Sequence, residues 1–411
     1  MNSRESLSPR PPLYSRREFL GLVSAGLAGT AALSPEVNQT QNRIATAINA
    51  FVDINGEWQD AKLSNEKFVE MNAPLLKDCS FSSTFSPEKL FELNINNYKD
   101  PQNQEFLDRS FNYLEFLNKD LGIDEVRLGV RWNSIVGENG NFDFGLYEPY
   151  FDYCIKEGID ISLNLGIKVY WWPEEHFPKK YSGGNSPPTG ATIDMNDRIA
   201  EDYIHLADKI LDHLSGRYSK KELGRITKVQ PGNEIFNPFG RKKWTMANDF
   251  TATLVQHIDE VLPGSKILLN SSEFKDLYKI YNLFEVLSNF IDKDRLIAGI
   301  DYYPFISGNL DPVLLSRIDS IPNADIIPAN FQPAGYANPE ITEAQTGPWI
   351  NELLPQDRLT CIKYVLQRSM TDIVSGKTSI GYWDMEDLLK APSKDTEGIF
   401  DLFRKIKNVR N

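Results

Sequence analysis

Two carboxyl groups carry the chemistry this sequence is equipped to do. Glu234 closes Pro231-Gly232-Asn233-Glu234, and Glu343 closes Pro339-Glu340-Ile341-Thr342-Glu343. Ahead of the first acid, Arg225–Gln230 has strand character. Pro231 and Gly232 then break it, because proline has no N–H for a ladder and glycine permits unusual dihedrals. A polar group at the C-terminal lip of a strand stands where α/β barrels keep their catalytic residues. Alone, Asn233 and Glu234 fit turn chemistry and a solvated loop acid equally well. The second acid, again at the end of a short strand-like run, shifts that balance. Two carboxyls converging across a cleft can divide their work. One stays protonated and donates to a leaving oxygen, and the other stays ionised and attacks the neighbouring carbon, as in cleavage of a glycosidic bond.

Such convergence needs a scaffold that brings distant strand ends together. From Leu76 onward, strand-like and helix-like segments alternate, the pattern of βα units around a parallel sheet. Strands are expected at 77–85, 125–132, 160–169, 226–232, 266–271, 296–303, 340–343 and 379–384. Helices are expected at 104–119, 146–157, 196–217, 244–262, 273–291, near 312–321, and at 357–374 and 397–407. Eight strands, each followed by a helix, is the count of a closed (β/α)8 TIM barrel, in which the fourth and seventh strands face one another across the mouth. An open doubly wound sheet is the other arrangement for this rhythm. No G-x-G-x-x-G or P-loop opens any of its helices.

Composition narrows the chemistry further. The 411 residues are 41% apolar, enough for one large barrel core, and the net charge of −13 with scattered Lys and Arg argues against a nucleic-acid surface. Seven Trp, 17 Tyr and 23 Phe supply flat faces of the kind that stack on sugar rings. Cys79, Cys154 and Cys361 are widely spaced and make neither a disulfide framework nor a zinc site, so buried thiols are expected. His205, His213 and His257 fall in helical patterns, and no cluster has metal-ligand spacing, so neither metal nor cofactor is expected.

Asn233-Glu234 after strand four and Thr342-Glu343 at strand seven resemble clan A of the glycoside hydrolases, the (β/α)8 retaining enzymes. The resemblance runs over about Leu76 to Lys407 and is strongest to the cellulase-like family 5. Val126-Arg127-Leu128-Gly129-Val130-Arg131-Trp132 is similar to that family's second strand, with Arg127 at its active-site arginine. Gly299-Ile300-Asp301-Tyr302-Tyr303-Pro304 is similar to the sixth strand, whose Tyr before Pro contacts the nucleophile and maps to Tyr303. Gly381-Tyr382-Trp383 is similar to the eighth, whose Trp floors the sugar site. The resemblance implies Glu234 as acid/base, Glu343 as nucleophile and Asn233 as donor to the sugar 2-hydroxyl. Lys168, Trp171, Trp172 and His176 lie on the third-strand lip and are candidates for sugar contacts. Three positions depart from the pattern: Asp301 replaces the usual His, Gly166-Ile167-Lys168 stands where many relatives place His, and Ile235 replaces a frequent Pro.

At the N-terminus, Ser15-Arg16-Arg17-Glu18-Phe19-Leu20 precedes an apolar, small-residue stretch from Gly21 to Leu33. This resembles a twin-arginine export signal and is too short for a typical spanning helix. The expected organisation is a signal at 1–33, a lead-in at 34–72 and a catalytic domain at 73–411. The expected protein is an exported β-glycosidase, periplasmic or extracellular and not stably inserted in the membrane after processing. Its partners would be the twin-arginine export machinery and a carbohydrate substrate, polysaccharide or oligosaccharide. A barrel that binds sugar without cleaving it is the alternative, disfavoured because both acids are present.

Overall fold

The computed structural model describes residues 60–93, 102–137, 140–165, 167–170, 176–181, 187–238, 243–272, 276–302, 335–344, 355–370, 379–382, 385 and 394–411. All belong to one compact unit, Asn55–Asn411. The signal segment at 1–33, the helix expected near 312–321 and four expected sugar contacts, Trp171, Trp172, Tyr303 and Trp383, lie outside the described residues.

Eight parallel strands close into a barrel. They are β1 (Ser80–Phe85), β2 (Glu125–Val130), β3 (Asp160–Leu165), β4 (Ile226–Gln230), β5 (Lys266–Ser271), β6 (Leu296–Tyr302), β7 (Glu340–Ala344) and β8 (Ser379–Tyr382). Each pairs with its neighbours in chain order, and β8 returns to β1 with Ser80 opposite Ser379. The expected (β/α)8 barrel is therefore the fold. Helices α1 (Asn65–Leu76), α2 (Pro87–Leu93), α3 (Gln104–Glu115), α4 (Glu148–Glu157), α5 (Arg198–Arg217), α6 (Asn248–Val261), α7 (Leu277–Leu287), α8 (Pro355–Arg368) and α9 (Lys394–Arg410) accompany them. Local signals set several ends. Asn103 caps α3 by accepting from the N–H groups of Glu105 and Phe106, and Gly158 ends α4 at φ 75°, a conformation open to glycine. Phe81, Leu128, Ile161, Leu163, Val229, Ile267 and Leu269 are buried strand residues, as expected of a sheet covered by helices. Among the described residues, no helix is long and apolar enough to cross a membrane.

One irregularity decides where a functional group points. Ile300 and Asp301 of β6 are adjacent, yet they pair with Ile341 and Glu343 of β7. On the other side, Ile380 and Tyr382 of β8 pair with Ile341 and Ala344. Strand β7 thus holds one extra residue against both neighbours, a β-bulge at Thr342. In a regular strand Glu340 and Glu343 would face opposite sides; the bulge turns Glu343 to the same side as Glu340. Two glycines make room for it. A Cβ on Gly299 would stand 2.0 Å from Thr342 Oγ1, and one on Gly381 would stand 2.3 Å from the Thr342 carbonyl oxygen.

Candidate active site

The two acids reach the barrel mouth by different routes. Glu343 is lifted there by the β7 bulge. Glu234 sits in the turn after β4, where its φ is 45°, a left-handed conformation that costs a non-glycine residue about 1–2 kcal/mol. The surrounding bonds over-determine that geometry. The Glu234 N–H donates to Asn270 Oδ1 (2.9 Å), and its carbonyl accepts from Asn237 N (2.9 Å) and Lys168 Nζ (3.1 Å). Lys168 Nζ also donates to the Asn237 carbonyl (2.7 Å), and the Lys168 carbonyl accepts from Asn233 N (2.8 Å). Lys168, expected as a sugar contact, thus clamps the loop that carries Asn233 and Glu234. Strand β3 ends at Leu165, short of the expected Val169, and His176, on the same lip, is buried.

Arg127 ties the mouth together from β2. Its Nη1 donates to Glu343 Oε1, its Nη2 to Asn233 Oδ1 (2.7 Å), and Nε and Nη2 both reach Gln230 Oε1 (2.9 and 2.5 Å). The guanidinium lies 4.6 Å from the centre of the Tyr170 ring, whose hydroxyl bonds the carbonyls of Phe85 (2.8 Å) and Arg127. Burial opposes the Arg127 charge, but the Glu343 carboxylate bonded to it outweighs that and holds the guanidinium charged. Asn233 is oriented by the same group. Its Oδ1 accepts from Arg127, Asn270 Nδ2 (2.9 Å) and Gln230 Nε2 (3.4 Å), which makes Nδ2 its donor side.

Glu234 is 5% exposed and Glu343 3%, so neither is a solvated surface acid. The Glu234 carboxyl accepts from Asn237 Nδ2 (3.0 Å), and the carboxyl of Asp301 stands beside it, joined to the same Asn270 side chain that holds the Glu234 N–H. Burial first, and the Glu343 charge as well, push the Glu234 carboxyl above the ordinary carboxylate range, and Asp301 works in the other direction. The arrangement therefore holds one proton-retaining acid and one acid paired with a guanidinium, both next to an oriented amide donor.

Of the expected site residues, the described part brings together Arg127, Asn233, Glu234, Glu343 and Lys168. Gln230, Asn237, Asn270 and Tyr170 belong to the same network and were not singled out from sequence. Gln230 and Asn270 each carry a visible signal, a polar amide at the end of a mostly buried strand (Ile-Thr-Lys-Val-Gln and Lys-Ile-Leu-Leu-Asn-Ser). Tyr170 has a fainter one in Gly129, where a Cβ would stand 2.4 Å from Val169 Cγ1 and 3.1 Å from the Tyr170 ring.

No family model and no curated protein matches the sequence. Solved structures do match. The exo-beta-1,4-mannosidase Op5Man5 from Opitutaceae bacterium strain TAV5 is 13% identical with a TM-score of 0.49, over 81% of this chain and 60% of that one. This chain thus spans less than two thirds of the mannosidase. A glycoside hydrolase family 5 enzyme from Prevotella bryantii B14 is 13% identical with a TM-score of 0.43, over 72% of this chain and 86% of that one. A GH5 family lichenase from Caldicellulosiruptor sp. F32 is 12% identical with a TM-score of 0.45, over 82% and 95%.

Proposed function

We propose that the chain is a retaining β-glycosidase that hydrolyses O-glycosidic bonds of a polysaccharide or oligosaccharide, with Glu234 as acid/base and Glu343 as nucleophile. The observation that carries this reading is the pairing of two buried carboxyls at the ends of β4 and β7, one bound to Arg127 and the other held above its ordinary pKa by burial. In the first step Glu343 attacks the anomeric carbon while Glu234 gives its proton to the departing oxygen, leaving a glycosyl ester on Glu343. That ester removes the negative charge opposite Glu234, which then ionises more readily. In the second step Glu234 takes a proton from water as the water attacks the same carbon and Glu343 leaves. The retaining assignment calls for carboxyls about 5 to 5.5 Å apart. Nδ2 of Asn233 is positioned to donate to the sugar 2-hydroxyl, and Tyr303, Trp171, Trp172 and Trp383 complete the sugar site. Ser15–Leu20 and the apolar run to Leu33 make the enzyme a twin-arginine export substrate, acting in the periplasm or outside the cell.

Incubating the protein with aryl β-glycosides and with soluble glucan, mannan, xylan and galactan tests the proposal and identifies the sugar. Release of reducing ends from the polysaccharides is expected to disappear in both Glu234→Ala and Glu343→Ala, with Glu234→Ala keeping the first step only on aryl glycosides whose leaving group needs no proton. Turnover that survives both substitutions would sink the assignment.

A further inference from the structure

Asp301 is the next-to-last residue of β6, in register with Glu343 on β7, and is buried. Its Oδ2 accepts from Asn270 Nδ2 at 2.7 Å. Its Oδ1 has no N–H or hydroxyl donor among the described residues, although it is shut off from water. The groups facing it are the carboxyl of Glu234 from the β4 turn, the carboxyl of Glu343 from β7 and the guanidinium of Arg127 from β2, and the Lys168 charge also acts on Glu234. Two carboxyls cannot bond one another unless one of them holds a proton, and a buried carboxylate oxygen without a donor is costly. Glu343 repels an Asp301 anion from the neighbouring strand, and Arg127 is already bonded to Glu343, Asn233 and Gln230.

We infer that Asp301 is a permanently protonated carboxylic acid that donates a hydrogen bond to Glu234 and thereby positions the proton donor. Burial, then Glu343 and Glu234, hold the Asp301 carboxyl well above the ordinary range, in agreement with that state. The role rests on the glycosidase reading for its consequence but not for its protonation. When Glu234 gives up its proton to the leaving oxygen, the Asp301 hydroxyl stabilises the new Glu234 carboxylate. When Glu234 recovers a proton from water, the Asp301 proton stays where it was. Asp301 is thus a positioning residue, a neutral acid in the place where the resembled family usually carries His.

Asparagine reproduces a neutral aspartic acid here, accepting from Asn270 and donating to Glu234. The Asp301→Asn variant is expected to keep kcat/KM within about tenfold of the parent, with the basic limb of its pH profile close to the parent's. Asp301→Ala loses the donor, so kcat/KM is expected to fall about ten- to a hundredfold, with the basic limb moved to higher pH. An ionised Asp301 would give the opposite sign, because removing an anion beside Glu234 moves the basic limb to lower pH in both variants. A readout independent of turnover is the infrared difference between parent and Asp301→Asn near neutral pH. Loss of a protonated carboxyl C=O band is expected, and loss of carboxylate bands would overturn the inference. Carbon-13 NMR of Asp carboxyls in the unsubstituted chain reads the same state: one Asp that stays protonated at neutral pH supports it, and titration of every Asp in the acid range overturns it. If no glycoside is turned over, the glycosidase reading fails while the spectra still decide Asp301.

Discussion

The barrel interior holds two buried charge clusters, one at each end, and only one looks like a site. At the N-terminal end Lys228 of β4 bonds Glu125 of β2 (3.1 Å), Glu340 of β7 (2.6 Å) and Ser379 of β8 (3.4 Å). At the mouth Arg127 joins Glu343, Asn233 and Gln230, with Glu234 and Asp301 beside them. A raised carboxyl does not separate the two: burial raises Glu340 despite the opposing pull of Lys228, as burial and Glu343 raise Glu234. Three other features do. The basal acids each accept a hydrogen bond from the lysine, whereas Asp301 Oδ1 has no such donor among the described residues. Register shifts occur in both clusters, before Lys228 as well as before Glu343, but of these residues only Glu234 stands in a left-handed turn. Finally, the mouth is the end of the barrel where function resides, and the base is where stability does. Burial and charge alone mark a structural network; strain and an acid that must hold a proton mark chemistry.

The largest effect expected from this contrast is on stability at the base. Replacing Lys228 with Met leaves Glu125 and Glu340 buried without their cation and should cost about 3–5 kcal/mol in chemical denaturation. Activity per folded molecule should hardly change. A tenfold drop in kcat at equal folded fraction would show that the two clusters are coupled and erase the distinction.

A smaller effect should come from the bulge that separates the two acids of β7. Gly381→Ala forces a methyl against the Thr342 carbonyl, so β7 or β8 must move, at about 1–3 kcal/mol as for other overpacked cores. Because Glu343 follows Thr342 directly, kcat should fall as well. Lost stability with unchanged kcat would mean that the bulge does not aim Glu343.

The smallest effect is a pH dependence at the mouth. The folded-state pKa of Glu234 is raised, so its contribution to stability is complete below the unfolded value and fades as pH rises through the folded one. Glu234→Gln removes that penalty. It should be more stable than the parent at pH 7 and gain little near pH 3, where the carboxyl is protonated in both the folded and the unfolded state. Equal gains at the two pH values, measured by urea denaturation, would remove the electrostatic explanation.

Much of the barrel was legible because strands such as β2, β3, β5 and β6 are short, largely apolar runs set between helical periods. Strand β5 occupies the expected Lys266–Ser271, and α5 lies within the expected span. Helix α2 was missed: seven residues after a strand carry too little periodicity to separate from a loop. A paired two-residue ribbon, Thr192–Ile193 with Thr245–Met246, is likewise too short to read. Cys79 and Cys154 are buried, free thiols, as their spacing suggested. At the site, Arg127, Asn233, Glu234 and Glu343 could be found because each ends or sits in a strand with a recognisable neighbour pattern. Asp301 could be seen as a departure but not understood, since its proton depends on carboxyls that only the closed barrel brings beside it. Gln230 and Asn270 fell inside expected strands without being singled out, because their partners, Arg127, Asn233, Asp301 and one another, come together only in the closed barrel.

The roles of the two acids are tested most directly by azide rescue of Glu343→Ala on a β-glycoside with a good leaving group, with the product configuration read by NMR. With the nucleophile gone, azide enters the face that Glu343 occupied, so restored turnover with an α-glycosyl azide is the expected result. A β-glycosyl azide from this variant would contradict the assignment, because it would place Glu343 on the proton-transfer side and leave Glu234 as the nucleophile.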